Sequence, residues 1–217
     1  MSSHGKGLSS SRLTRISGDF IINILASVVY TFARQIVVFP LLAARLGEGD
    51  YGTLLTVAGL ANVCTAMIGG SLNNIRLIED SHYKERGLLG DFNFLCLLGS
   101  GVSVVFAAVL WRMFSLSLLT AVLLAAYLIV SNLYQYATAF FRLELNFKRT
   151  FLCNTVVSAA YCAAALLFAT AELWPTVFLA GEGVGLLFVS RTTPFIREPL
   201  ARTPLLAATI ATLLTYM

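Results

Sequence analysis

Residues 20–46 read FIINILASVVYTFARQIVVFPLLAARL, an apolar run long enough to cross a bilayer, and Arg34 stands inside it. A hydrocarbon core of roughly 30 Å needs about 20 such residues in a helix. Outward from this stretch the pattern repeats, giving candidate spans at 19–46, 52–75, 89–111, 116–140, 151–171 and 173–190, and a seventh beginning at Thr203. The predicted fold class is all-α, a polytopic membrane helix bundle of six transmembrane helices plus the start of a seventh. The chain then divides into a cytoplasmic basic tail at 1–18, a bundle at 19–190, a cytoplasmic connection at 191–202 and an incomplete seventh helix at 203–217.

Composition points the same way. With 58% of residues hydrophobic and 12% charged, the chain lies outside the range of soluble domains, in which about a quarter of residues are charged. Its longest hydrophilic stretch, Met1 to Gly18, is rich in Ser and Gly with Lys6, Arg12 and Arg15, and reads as a mobile tail. A cleaved signal peptide fits poorly, because the first apolar run is too long for a signal core, carries Arg34 and leads into further spans.

A net charge of +4 would suggest nucleic acid in a soluble protein, but here the distribution of cations matters more than their sum. Lys6, Arg12 and Arg15, then Arg76, Lys84 and Arg86, then Arg142, Lys148 and Arg149, then Arg191, Arg197 and Arg202 occupy alternate connections. The other connections hold Arg45 and Arg112 beside Glu48, Asp50 and Glu172. Cytoplasmic loops are enriched in Lys and Arg, so the reading is a multi-pass protein of the cytoplasmic membrane with its amino terminus inside and no nucleic-acid partner. Cys64, Cys96, Cys153 and Cys162 lie singly inside apolar runs, without the close pairing of a metal site. No metal and no cofactor is expected.

Helical periodicity distinguishes the faces of these spans. Asp19, Asn23, Ser27, Tyr30 and Arg34 recur at steps of four, four, three and four. Gly59, Asn62, Ala66, Gly69 and Asn73 form a small and polar seam in the second span, which fits close helix packing. Tyr127, Ser131, Gln135, Thr138 and Arg142 repeat the pattern in the fourth. The first stripe is read as the wall of a water-filled cavity, because a cation near mid-membrane is costly without polar relief. Arg34 lies midway between Asp19 and Asp50, and its planar fork suits phosphate or carboxylate. Glu182, between Gly181 and Gly183, is the acid placed well within a span. It is either a partner for Arg34, a packing residue, or a proton or sodium site. The steps Gly181 and Gly185 allow close helix approach.

Two stretches carry a resemblance. Leu46-Gly47-Glu48-Gly49-Asp50-Tyr51-Gly52, followed after a span by Gly69-Gly70-Ser71-Leu72-Asn73-Asn74-Ile75-Arg76, resembles the LG-x-x-[DE]-[YF]-G turn of Wzx-type polysaccharide flippases, in the multidrug/oligosaccharidyl-lipid/polysaccharide superfamily. Gly47 and Gly52 would permit a tight turn there. Phe140-Phe141-Arg142-Leu143-Glu144-Leu145-Asn146-Phe147-Lys148-Arg149 is similar to the family's basic connection between the fourth and fifth helices.

The resemblance implies a six-helix lobe facing a second lobe across a central cavity, in which polyprenyl-diphosphate-linked oligosaccharide crosses by alternating access. Relatives have twelve or fourteen helices, whereas this chain ends about fifteen residues into a seventh span, so it is expected to be the amino-terminal half or a truncated form. Partners implied are the lipid-linked oligosaccharide, membrane lipid, and a second half-transporter or polysaccharide-synthesis proteins. Arg34 would attract the diphosphate, with Asn23, Ser27 and Tyr30 beside it. Tyr127, Ser131 and Gln135 would serve sugar hydroxyls, and Glu182 is the ion-coupling candidate.

Three rivals stand beside that expectation. A cation-coupled drug or metabolite exporter would want acidic or aromatic pockets, whereas the deepest charge of the first helix is positive. A non-transporting assembly subunit is compatible with the chain's length. A membrane-embedded enzyme needs clustered carboxylates or an activated nucleophile. The one acidic cluster beside a histidine, Glu79-Asp80 with His82, is read as part of a solvated basic loop, so no enzymatic activity is expected.

Overall fold

The computed structural model describes residues 10–86 and 90–193, and side chains from Ile21 onward except Tyr83, Arg86, Gly90 and Asp91. Lys6, the connection beyond Thr193 and the expected seventh helix lie outside the described residues, as does the side chain of Asp19. Within them every regular element is helical: α1 (Ser10–Phe32), α2 (Phe39–Leu46), α3 (Glu48–Thr65), α4 (Ser71–Arg86), α5 (Gly90–Phe114), α6 (Leu118–Ala137), α7 (Ala139–Leu143), α8 (Phe147–Phe168) and α9 (Trp174–Thr192). Among the described residues five helical stretches are long and apolar enough to cross a membrane: Ile21–Leu46, Glu48–His82, Phe92–Phe114, Leu118–Leu143 and Phe147–Phe168. The run expected as a sixth span is helical, as α9, but with Glu182, Arg191 and three glycines it is not among these five.

Two of these rods are continuous helices with a π-helical insert. The segment Ala33–Val38 joins α1 to α2, and the amide of Phe39 reaches back five residues to the carbonyl of Arg34. Pro40 explains the wider turn, since proline has no amide for the carbonyl of Ile36 and its ring would collide with that carbonyl. Ala66–Gly70 joins α3 to α4. There the Gly69 amide is satisfied by Asn132 Oδ1 at 3.2 Å, across to α6. Asn132 in turn donates to Ser103 of α5 at 2.7 Å, and both are fully buried, so a polar knot ties three helices in the interior of the bundle.

Element ends follow local chemistry. Gly47, with φ of 77°, turns the chain between α2 and α3, and Glu48 and Asp50 sit in the first turn of α3, where the helix dipole favours acids. Gly52, expected to share in the turn, is instead an ordinary helical residue of α3. Ser117 and Asn146 cap α6 and α8 by accepting from the amides of Thr120 and Arg149. Arg45 donates to the carbonyl of Leu166 at 2.7 Å, close to the end of α8. At the amino-terminal side α1 already begins at Ser10, inside the stretch expected to be a tail. A formed span nucleates the helix, after which extension by further turns costs little.

The central element is α6, which packs on α9, α5 and the second π segment, while α8 packs on α1 and α9. A Cβ at Gly181 would lie 2.5 Å from the ring of Tyr161, and one at Gly185 2.6 Å from Tyr134 and 2.7 Å from Val157. These glycines therefore let α9 seat against α8 and α6. In the second-span seam only part of the expected packing is seen: Gly69 is pressed onto α6, but Gly59 has open space around it.

The acidic cluster of α4 also departs from expectation. Glu79, Asp80 and His82 lie within a helix, not a loop, and Asp80 is buried. Its carboxylate stands 3.7 Å from Nε of Arg76 and also pairs with Lys84. Arg76, expected to be a loop cation, is fully buried over the Phe140 ring at 4.1 Å, and hydrogen-bonds Tyr136. Aromatic faces and one carboxylate allow this guanidinium to leave water.

Candidate functional site

Between these rods lies a polar cavity of about 550 Å³, within the ~300–1,000 Å³ of ordinary ligand sites. One turn after another of the first rod contributes to it: Asn23, Ser27, Tyr30, Thr31 and Arg34. The second rod adds Asn62, Asn73 and Asn74. Gln135, Thr138 and Arg142 come from the fourth rod, Thr150 and Asn154 from α8, and Glu182 from α9. The first and second rods meet through α2 and α3, near the Gly47 turn. Three of the exposed lining residues, Asn23, Asn74 and Arg142, belong to the opposite half of the cavity.

Of the two cations that line the cavity, Arg34 is the more deeply buried. Its Nη2 donates to Asn62 Oδ1 at 2.8 Å, and its guanidinium lies 5.2 Å from the Phe178 ring centre and 5.8 Å from that of Phe39. Aromatic faces thus support one side of the charge while the other faces the polar cavity. Its Nε has no hydrogen-bond partner among the described residues. None of the ion pairs seen among the described residues involves Arg34. By the 1.5 Å rise of a helix it sits about 20 Å from either end of the Ile21–Leu46 span.

Glu182 is 2% exposed. Tyr161 donates to its Oε1 at 3.0 Å, and the Tyr161 hydroxyl lies 3.3 Å from that of Tyr30. The second carboxylate oxygen, Oε2, has no hydrogen-bond partner among the described residues. The close approach at Gly181 is what lets the Tyr161 ring lie against α9 and reach this carboxylate. Glu182 and Arg34 therefore share a cavity without forming the ion pair that was one expectation for them.

Of the residues singled out in the sequence, Asn23, Ser27, Tyr30, Arg34, Gln135 and Glu182 line the cavity. Tyr127 and Ser131 lie behind its wall and are fully buried. Tyr127 donates to Asn62 Oδ1 at 3.4 Å, which fixes the acceptor that holds Arg34, and Ser131 accepts from Gln135. Their geometry is that of supports, not of groups offered to a ligand.

Three wall residues carried a signal that was read otherwise. Asn62 and Asn73 belonged to a stripe taken as packing, and Arg142 both to the polar stripe of the fourth span and to a basic connection. Asn73 donates to the carbonyl of Gln135 at 2.6 Å and to Thr138 at 3.1 Å, and its own Oδ1 has no hydrogen-bond partner among the described residues. Asn154 gave no periodic signal, and donates to the carbonyl of Ala26 at 3.0 Å.

The wall offers guanidinium, amide and hydroxyl groups that suit an anion bearing hydroxylated substituents. Among the described residues no three His, Cys, Asp or Glu side chains gather as a metal site would require. Comparison of the chain with protein-family models, with curated proteins and with solved structures finds no match.

Proposed function

We propose that this chain is the amino-terminal bundle of a flippase-type transporter that binds polyprenyl-diphosphate-linked oligosaccharide in the cytoplasmic membrane, with α9 as its sixth span. The observation that carries the reading is Arg34, a mid-span guanidinium turned to a polar cavity and joined there to a neutral amide instead of a carboxylate. A diphosphate supplies the missing anion, and the amides of Asn62, Asn73 and Gln135 suit sugar hydroxyls. Two cations, Arg34 and Arg142, against one acid, Glu182, favour anionic cargo over the cationic cargo of a drug exporter. The alternating cation pattern makes the rim near Arg142 cytoplasmic, the side on which such lipids are assembled.

The test is equilibrium binding to the purified chain in nanodiscs. A fluorescent long-chain polyprenyl diphosphate is expected to bind, with competition by inorganic pyrophosphate and none by the neutral polyprenol. Binding no greater than to empty nanodiscs, or equal competition by the neutral alcohol, would remove the reading.

A further inference from the structure

On the outer flank of the first rod a second, open hollow of about 390 Å³ is lined by Ser27, Val28, Thr31, Phe32, Gln35 and Ile36. Two of these, Ser27 and Thr31, also line the polar cavity. The two spaces are therefore neighbours across one edge of a single helix.

The order of faces around α1 shows how they connect. Ala26 and Val29 face α8, with their carbonyls receiving Asn154 and Ser158. Next come Asn23, Tyr30 and Arg34 in the cavity, then the shared hydroxyls of Ser27 and Thr31, then Val28, Phe32 and Ile36. The groove thus leaves the cavity on the side away from α8, where α1 has no extensive packing against α3 or α4. Val28, Phe32 and Ile36 are 53%, 56% and 59% exposed, so none of the described residues covers them. Polarity changes along this path from guanidinium, through two hydroxyls and the amide of Gln35, to the hydrocarbon of Val28, Phe32 and Ile36.

We infer that this groove seats the hydrocarbon tail of the lipid whose diphosphate lies at Arg34, with Ser27 and Thr31 as the sill over which head and tail divide. The assignment rests on the function proposed above and narrows its substrate to one amphiphile lying half in the bundle and half in the bilayer. A soluble anion would use the cavity and leave the groove unused. The match is one of polarity and continuity: head and tail of such a lipid differ as the two hollows do, and they are joined where the hollows are joined.

Val28→Trp and Ile36→Trp each fill the groove at an exposed position, and neither residue is among those that line the polar cavity. In nanodiscs each variant is expected to weaken binding of a long-chain polyprenyl diphosphate by about tenfold, a difference of ~1.4 kcal/mol. Binding of inorganic pyrophosphate, a diphosphate with no tail, is expected to stay as in the unmodified chain. Comparing each ligand with itself across variants cancels partition of the long chain into lipid. Unchanged affinity for the long chain, or an equal loss for both ligands, would overturn the tail assignment while leaving the diphosphate site standing. A change of oligomeric state with ligand affinities unaltered would overturn it too, giving the groove to a second copy of the chain. Failure of both diphosphates to bind the unmodified chain would end this inference and the functional reading together.

Discussion

Arg34→Ala is expected to weaken long-chain polyprenyl diphosphate binding by at least about thirtyfold, while the protein unfolds at or above its original temperature. The affinity loss follows from truncating one member of a poorly hydrated charge pair, which costs ~2–5 kcal/mol, the lower figure being about thirtyfold. The retained stability follows from the burial pattern. A mid-span guanidinium is costly in an apolar medium, and removing it relieves that cost. Asn62, which loses the Arg34 donor, still accepts from Tyr127 at 3.4 Å. Arg34→Lys is expected to fall between, since it keeps the charge and loses the fork that meets two phosphate oxygens at once. Wild-type affinity in Arg34→Ala would show that the guanidinium serves the fold and not a ligand.

The second large effect is structural. Gly69→Leu should destabilise the bundle by roughly 3 kcal/mol or more, at or beyond the upper end of ordinary overpacking. A Cβ at Gly69 would stand 2.7 Å from the carbonyl oxygen of Asn132 and 2.9 Å from its Cα. Both are backbone atoms, so no rotamer change relieves the clash. The helices would have to part, which would also strain the bond from the Gly69 amide to Asn132 and the one from Asn132 to Ser103. Gly59→Leu is the matched control, because nothing lies within 4 Å of a Cβ there. Its change should stay within about 0.5 kcal/mol, as for other exposed positions. Equal unfolding of the two variants in bicelles would contradict the packing described.

The reach of the sequence differed from element to element. Long apolar runs report helices directly, and α5, α6 and α8 lie close to the runs at 89–111, 116–140 and 151–171. The Asn23-Ser27-Tyr30-Arg34 stripe could be placed on one cavity because helical periodicity fixes which side chains share a face. Periodicity does not say what a face meets. Tyr127 and Ser131 share a stripe with Gln135, yet α9 and the second rod cover them and leave Gln135 at the wall. Arg76 was misread for a related reason: a cation at the end of an apolar run reads as solvated, while Phe92, Tyr136 and Phe140, which enclose it, come from distant parts of the chain. The π segment at Ala33–Val38 did have a local sign in Pro40. The one at Ala66–Gly70 depends on Asn132, a residue of another helix, and could not be read locally.

The most direct test of the central claim, that Arg34 borders water inside a membrane span, compares two neighbouring residues of α3. Asn62 holds Arg34 in the cavity, whereas Val63, one residue on, is 58% exposed on the outer surface. Asn62→Cys and Val63→Cys, each in a chain whose four native cysteines are replaced by alanine, are treated in nanodiscs with a charged, membrane-impermeant thiol reagent. Rapid labelling of Asn62→Cys, slowed by long-chain polyprenyl diphosphate, with Val63→Cys left unlabelled, is the predicted result. An unreactive Asn62→Cys, or equal rates at the two positions, would mean that the guanidinium lies in a dry contact and that no ligand reaches it.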